Sequence, residues 1–246
     1  MLHRRIEEAS LNAWPALQQM IFDGWLLRFA KGYTKRANSV NPLFGSRLNA
    51  EEKIDLCERL YAEKKQPTIF RLTPFAFPPD LDQVLARRHY RCVDLTSVQH
   101  RDLRGQAMQA ESSVELRDET VDHWLDTFCR LSAAPRAQHH THQAILLAIP
   151  TTRLLAVLAD SDTIVACGLG VLEHEYFGLF DLVTGPQQRN KGYGAKLVVN
   201  MLRWAQEHAA AHAYLQVMHS NAPARHLYAK LGFQEMYQYW YRVLDV

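Results

Sequence analysis

Two closely spaced glycines, Gly192 and Gly194, sit in the stretch GPQQRNKGYGAKL (185–197), between a strand-like run and a helix-like run. Arg189 and Lys191 bring positive charge into the same turn. Glycine lets a backbone take positive φ angles and approach a ligand closely. The first N–H groups of a helix are unpaired, point outward and carry the positive end of the dipole. The chemistry such a turn offers is the holding of an anion; a tight turn onto a helix is the plainer alternative. The lysine is not placed for the mononucleotide loop G-x-x-x-x-G-K-[ST]. No third glycine completes the dinucleotide fingerprint. A pyrophosphate held in another geometry is the anion expected.

RNKGYG resembles the R/Q-x-x-G-x-G/A loop of the GNAT superfamily of N-acetyltransferases. SNAPARHLYAKLGF (220–233) is similar to that superfamily's later motif, in which an Asn, a small residue, a Tyr and a Gly-Phe recur in order. The resemblance covers the chain from about residue 113 onward and is weak before it. It implies acetyl-coenzyme A as co-substrate. The pyrophosphate would lie on the N–H groups of Asn190, Lys191, Gly192, Tyr193, Gly194 and Ala195, with Arg189 adding charge. The pantetheine arm would run along Leu182, Val183 and Thr184, and Asn221 would touch the cofactor arm. Tyr228 matches the tyrosine that serves many members as general acid toward the thiolate; as alternatives, Tyr228 is a core aromatic and Asn221 an ordinary helix-start residue.

Acyl transfer to an amine needs a lost amine proton, a stabilised carbonyl oxygen and a protonated or hydrogen-bonded thiolate. A phenol with pKa near ~10 suits the last task. At the base the sequence departs from the superfamily: many members carry a Glu where Gln216 stands, and glutamine cannot take a proton. Asp181 and Glu175 are the nearest carboxylates in sequence. Strict strand alternation places Asp181 one residue off the face that looks into the site, which a β-bulge would correct.

Periodicity predicts the elements that must carry these residues. SSVELRD alternates as a strand, and TVDHWLDTFCRLSA has helical spacing through Val121, Trp124, Leu125 and Phe128. Residues 152–184 predict three strands with polar turns at 160–162 and 173–175. A helix from Gly194 carries Leu197, Met201 and Ala205 on one stripe. AYLQVMHS predicts a strand, APARHLYAKLGF a helix ending at Gly232, and MYQYWYRVLDV a last strand. The first ~105 residues repeat the order helix, strand, helix, strand, and LARRHYR (85–91) aligns with YAKLGFQ (228–234) as an internal repeat. That half lacks the glycine loop, and Leu85 falls where Tyr228 falls, so it is expected not to bind the cofactor. The expected fold is α/β: a GNAT-like mixed twisted sheet flanked by helices, with residues 1–108 an incomplete copy and 109–246 the catalytic domain. In the polar insert GYTKRANSV, Arg36 and Asn38, with Asn41 just beyond it, are candidates to bind a carboxylate or polar acceptor; a solvated hairpin is the alternative.

The chain has 246 residues, 48% hydrophobic and 22% charged, enough for sizeable cores. A net charge of +2 argues against a nucleic-acid partner. No apolar run approaches a membrane span, and the N-terminus lacks signal-peptide character. Cys57, Cys92, Cys129 and Cys167 form no CxxC pair and read as reduced, buried thiols of a cytoplasmic protein. His139, His140 and His142 cluster locally, and His208 and His212 are spaced for one helix face. No Cys or carboxylate completes either set, so no metal is expected. The acceptor, a small-molecule or peptide amine, is not specified by the sequence, nor is an oligomeric state.

Overall fold

The computed structural model describes residues 2–45, 47–105 and 114–245. In chain order the elements are α1 (Leu2–Ala13), β1 (Gln18–Phe22), β2 (Trp25–Phe29), β3 (Val40–Pro42), α2 (Ala50–Glu63), β4 (Thr68–Leu72), α3 (Leu81–Arg87), β5 (Arg91–Asp102), β6 (Glu115–Asp118), α4 (Val121–Ser132), α5 (His140–Leu147), β7 (Thr152–Asp160), β8 (Thr163–Glu173), β9 (Tyr176–Thr184), α6 (Tyr193–Glu207), β10 (His212–Met218), α7 (Ala222–Lys230) and β11 (Gln234–Leu244). Alternating strands and helices with both parallel and antiparallel pairs make this an α/β fold, as expected.

The expected boundary at 108/109 lies outside the described residues. The chain forms two compact units that interleave in sequence. Unit one comprises 1–13, 99–217 and 221–236; unit two comprises 14–98, 218–220 and 237–246.

In unit one, β6, β7, β8 and β9 form antiparallel neighbours, and β9 pairs parallel with β10. The apolar stripe of α6 packs on Leu154, Ala156, Leu158, Phe177 and Leu179 through Leu197, Val198 and Met201. Burying each such side chain stabilises by roughly 1.5–3 kcal/mol. In unit two, β1–β2–β3 is an antiparallel meander, β3 pairs parallel with β4, and β4 pairs antiparallel with β11. Its core joins Trp25, Leu27 and Phe70 to Ile54 and Tyr61 of α2 and Leu85 of α3.

The aligned segments match bond for bond. After α7, Phe233 N donates to Tyr228 O (3.0 Å) and Gly232 N to Ala229 O (3.0 Å). After α3, Tyr90 N donates to Leu85 O (3.1 Å) and His89 N to Ala86 O (3.1 Å). His89 takes the left-handed φ of 64° that Gly232 takes at 78°. A turn of one geometry thus follows both helices, although one is closed by glycine and the other by histidine.

Three expectations about isolated residues change. Cys92 is exposed, whereas Cys57, Cys129 and Cys167 are buried; Cys92 lies at the start of β5, where the burial pattern opens outward. His208 and His212 do not share a helix face, because α6 ends at Glu207 and His212 begins β10. Asn38 and Asn41 are buried at 3% and 1%. Asn38 Oδ1 accepts from Ala30 N (2.6 Å) and Gly32 N (2.9 Å), and its Nδ2 donates to Thr34 O (2.7 Å). It staples its own loop, which is why an asparagine stands there.

Candidate functional site

The β9–β10 ladder runs from Tyr176↔His212 to Leu179↔Leu215 and then stops. β9 continues through Thr184, held only on its β8 side, with Val183 opposite Cys167 and Thr184 opposite Ala166. Among the described residues, no β10 residue pairs with 181–184, so that side of the strand is an open edge. An extended chain bearing amides can pair there as an added strand would.

The cause of the parting is a bulge. The register with β8 shifts between Cys167 and Leu169, and Asp181 takes φ 48°, a left-handed conformation uncommon for a residue with a side chain. Phe177 and Leu179 face α6, so simple alternation would send Asp181 the same way. Instead Leu182 packs against the α6 cluster, and Asp181 meets α5: its Oδ2 lies 3.0 Å from Nε2 of His142. Trp124 Nε1 donates to both Ala156 O and Gly168 O, each at 3.1 Å. This satisfies backbone oxygen where the ladder is irregular. A bulge, which the sequence alone does not reveal, is present at Asp181. Glu175 lies in the β8–β9 turn at the far end of β9, six residues from Asp181 in sequence, hence about 20 Å away along the strand.

From Thr184 the chain passes through Gly185 and a single 3-10 turn (Pro186–Gln188) into α6. Gly192 caps α6 with φ 84°, and Asn190 is also left-handed at 61°. Among the described residues, the N–H groups of Asn190 to Ala195 donate to no backbone carbonyl; helical bonding begins with Lys196 N to Gly192 O (3.1 Å). A Cβ on Gly192 would meet nothing within 4 Å, so the concavity at the turn is open. A Cβ on Gly194 would stand 3.4 Å from Thr184 Oγ1 and 3.5 Å from Leu227. Arg189 Nε reaches back to Thr184 O (3.4 Å), and Lys191 Nζ reaches Gln188 Oε1 (3.1 Å). Tyr193 anchors the far side through a hydrogen bond from its hydroxyl to Asp160, which raises its pKa.

Tyr228 projects from α7 into the same core as α6 and is 9% exposed. Burial pushes its phenol up to about 12, so it stays protonated at neutral pH and is available as a donor. Asn221 caps α7, its Oδ1 accepting from Ala224 N (3.3 Å). That is the helix-start role, and it leaves the amide nitrogen unused by the cap.

In unit two, the insert at 32–38 lines a cavity of about 420 Å³ with Gly32, Thr34, Lys35 and Asn38. Arg91 and Asp94 line it as well, and Lys35 Nζ pairs with Asp94 Oδ2 at 2.9 Å.

Sequence reasoning singled out Asp181 and the glycine loop as candidates but missed α5 and the approach of His142 to Asp181. The signal was weak: α5 is short, and its histidines first suggest metal binding. The buried pair Ile145 and Leu146 is the available hint of a docked helix.

The chain belongs to the family described as "Probable histone acetyltransferase Rv0428c C-terminal", whose sequence model matches residues 3–242. It is 29% identical over 245 residues to the "Uncharacterized N-acetyltransferase YobR" of Bacillus subtilis (strain 168), covering 98% of each chain. Its fold is similar to that of a GCN5-related N-acetyltransferase from Kribbella flavida, with TM-score 0.74, 14% identity, and coverage of 98% of this chain and 95% of that one. It is also similar to a tandem GNAT protein from the clavulanic acid biosynthesis pathway, with TM-score 0.63, 9% identity, and coverage of 84% and 75%. The chain is thus a GNAT-superfamily enzyme, an acyltransferase, and its GNAT fold is shared along nearly its full length. No helix among the described residues is long and apolar enough to cross a membrane.

Proposed function

We propose that this enzyme transfers the acetyl group of acetyl-coenzyme A to a primary amine of a small molecule or peptide. The observation that carries the reading is the free edge of β9 leading directly into an open helix N-terminus. Amides along Leu182, Val183 and Thr184 suit the pantetheine arm. The N–H groups of Asn190 to Ala195, with Arg189 and Lys191 beside them, suit the pyrophosphate. At Gly194 a Cβ would stand in ordinary contact with Thr184 and Leu227, which places the start of α6 beside the strand edge.

Catalysis then falls to two groups on this chain. Asp181, turned by the bulge, takes the proton of the acceptor ammonium. The freed amine attacks the thioester carbonyl, the C–N bond forms and the C–S bond breaks. Tyr228 gives its phenolic proton to the departing thiolate, and the second proton, which the nitrogen sheds as the amide forms, restores the phenol by way of solvent. Positioning a proton donor of this kind contributes typically 10²–10⁴-fold. Three buried free thiols, Cys57, Cys129 and Cys167, suit a cytoplasmic, reducing setting.

Gln216, in place of a carboxylate, favours a second reading: a module that binds an acyl-coenzyme A without turning it over. Thiol release from acetyl-coenzyme A with a panel of amines separates the two. Release that depends on amine and falls in Tyr228→Phe supports the enzyme. Tight cofactor binding with no release for any amine supports the binding module.

A further inference from the structure

Asp181 is not alone at the bulge. Its partner His142 is 1% exposed, while Asp181 itself is 22% exposed. The two facing atoms are 3.0 Å apart yet lie off the line of an ordinary hydrogen bond. The imidazole sits in an aromatic box, edge-on to Phe128 (centroids 5.2 Å) and to Trp124 (5.9 Å). Its other nitrogen, Nδ1, is 3.4 Å from Nδ1 of His139, which lies nearer the surface at 9% exposure. Burying an imidazole among aromatic rings is costly unless its polar atoms are used, and an apolar residue would fill the box more cheaply.

We propose that His142 positions Asp181 and takes up from it the proton of the acceptor ammonium, with His139 as the exit. This rests on the acetyltransferase reading above. The proton moves from the ammonium nitrogen to Asp181. It passes from Oδ2 to Nε2 of His142, leaving a carboxylate and an imidazolium. The proton on Nδ1 then leaves to Nδ1 of His139 and to solvent. One proton enters and one leaves, and no other reactant is consumed. The pair supplies the base that Gln216 cannot.

Other groups also bear on these histidines. Cys167 on β8 faces Asp181, and burial first, then that carboxylate, push its thiol up. Cys129 and Arg130 of α4 approach the same region. Arg136 comes from the 3-10 turn Arg136–His139, but its Nε is engaged by Asp126 at 2.9 Å. His139 is held below the usual imidazole range by burial first, then by His142 and Arg136, against a smaller opposing pull from Asp181.

The test uses the full-length protein labelled with ¹⁵N-histidine, together with its His142→Gln and Asp181→Asn variants. Without any substrate, Asp181→Asn must move the imidazole nitrogen resonances of His142, and His142→Gln must move the titration of His139 to higher pH. Unmoved resonances and an unmoved His139 titration would overturn the pairing. With acetyl-coenzyme A and the amine selected by thiol release, His142→Gln should lower kcat/KM at neutral pH about tenfold or more. Its acidic limb should also move to lower pH, because no imidazole then takes up a proton at the reacting pair. A fall in rate with the limb unmoved would show a structural role only and overturn the relay. If wild type releases no thiol with any amine, the acetyltransferase reading fails and the relay fails with it, while the resonance arm still reports whether the pair exists. Asp181→Asn, nearly isosteric, serves if His142→Gln does not fold.

Discussion

The segments that enter α6 and α2 occupy the same place in two copies of one strand–helix–strand plan, and they treat the helix N-terminus in opposite ways. Before α6, the N–H groups from Asn190 to Ala195 have no backbone acceptor among the described residues. Before α2, the protein supplies its own anion. Asp23, in the β1–β2 turn, accepts from Arg47 N (3.1 and 3.0 Å) and Leu48 N (3.0 Å) through its carboxylate. Lys53 Nζ donates to Asp23 O (2.5 Å) and lies 3.5 Å from Asp23 Oδ2. Asn49 caps the helix, accepting from Glu52 N at 2.9 Å. The turn is pressed close: a Cβ on Gly24 would stand 2.5 Å from Gly45 O. The loop that leads into the helix is thus engaged by a carboxylate of the same unit before α2 and left open before α6. Lack of glycines is only part of why unit two is expected not to hold the cofactor; an internal carboxylate already engages the N–H groups of Arg47 and Leu48 in the loop that leads into α2.

The comparison can be broken most severely at the second motif, where Tyr228 of α7 aligns in sequence with Leu85 of α3. Tyr228→Phe should lower kcat about 100-fold or more while leaving acetyl-coenzyme A affinity unchanged. Thiol-release kinetics beside calorimetry will show it. An unchanged kcat would make Tyr228 a core-filling side chain only, as Leu85 is.

Asp23→Ala should lower the melting temperature without altering acetyl-coenzyme A binding, because it uncovers N–H groups in unit two alone. The Asp23 carboxyl is held below its usual range by the Arg47 and Leu48 N–H groups, with Lys53 adding to this. Its contribution is therefore full above the ordinary aspartate range and is lost as pH falls through the depressed value. Thermal melts between pH 7 and roughly 2 should lose less stability in Asp23→Ala than in wild type. Equal acid losses in the two proteins would count against the plug.

Asn221→Ala removes the cap of α7 and should cost about 1 kcal/mol of stability, read by denaturant melts. If acetyl-coenzyme A affinity falls as well, the unused amide nitrogen contacts the cofactor. The smallest effect is expected at Lys191, an exposed cation: Lys191→Ala should weaken cofactor binding about threefold at low salt, and less at high salt. A salt-independent loss would mean that Lys191 acts through loop geometry instead.

Much of the fold was legible because long periodic segments state their own type. The three strands across 152–184 and the stripe Leu197, Met201, Ala205 needed no tertiary information. The repeat was legible because LARRHYR and YAKLGFQ share a turn position, here seen as matching hydrogen bonds. The interleaving of the units was not legible, since no local signal tells a strand such as β11 which neighbours it joins. The site was half legible. Gly192 and Gly194 announce a backbone requirement, but the bulge at Asp181 has no glycine on its own strand and depends on how β8, with Gly168 opposite, and β9 pair. The plug at Asp23 was hidden for the same reason, because Asp23-Gly24 reads as a hairpin turn wherever its carboxylate points. Asn38 misled because a loop asparagine serves its own backbone more readily than a ligand.

The most direct test is isothermal titration of the purified protein with acetyl-coenzyme A, beside Gly192→Glu, which places a carboxylate in the open turn at a left-handed position. One site per chain in wild type, absent in Gly192→Glu, is the predicted result. Two sites per chain, or one that survives in Gly192→Glu, would contradict the claim that the entry to α6 is the cofactor cradle.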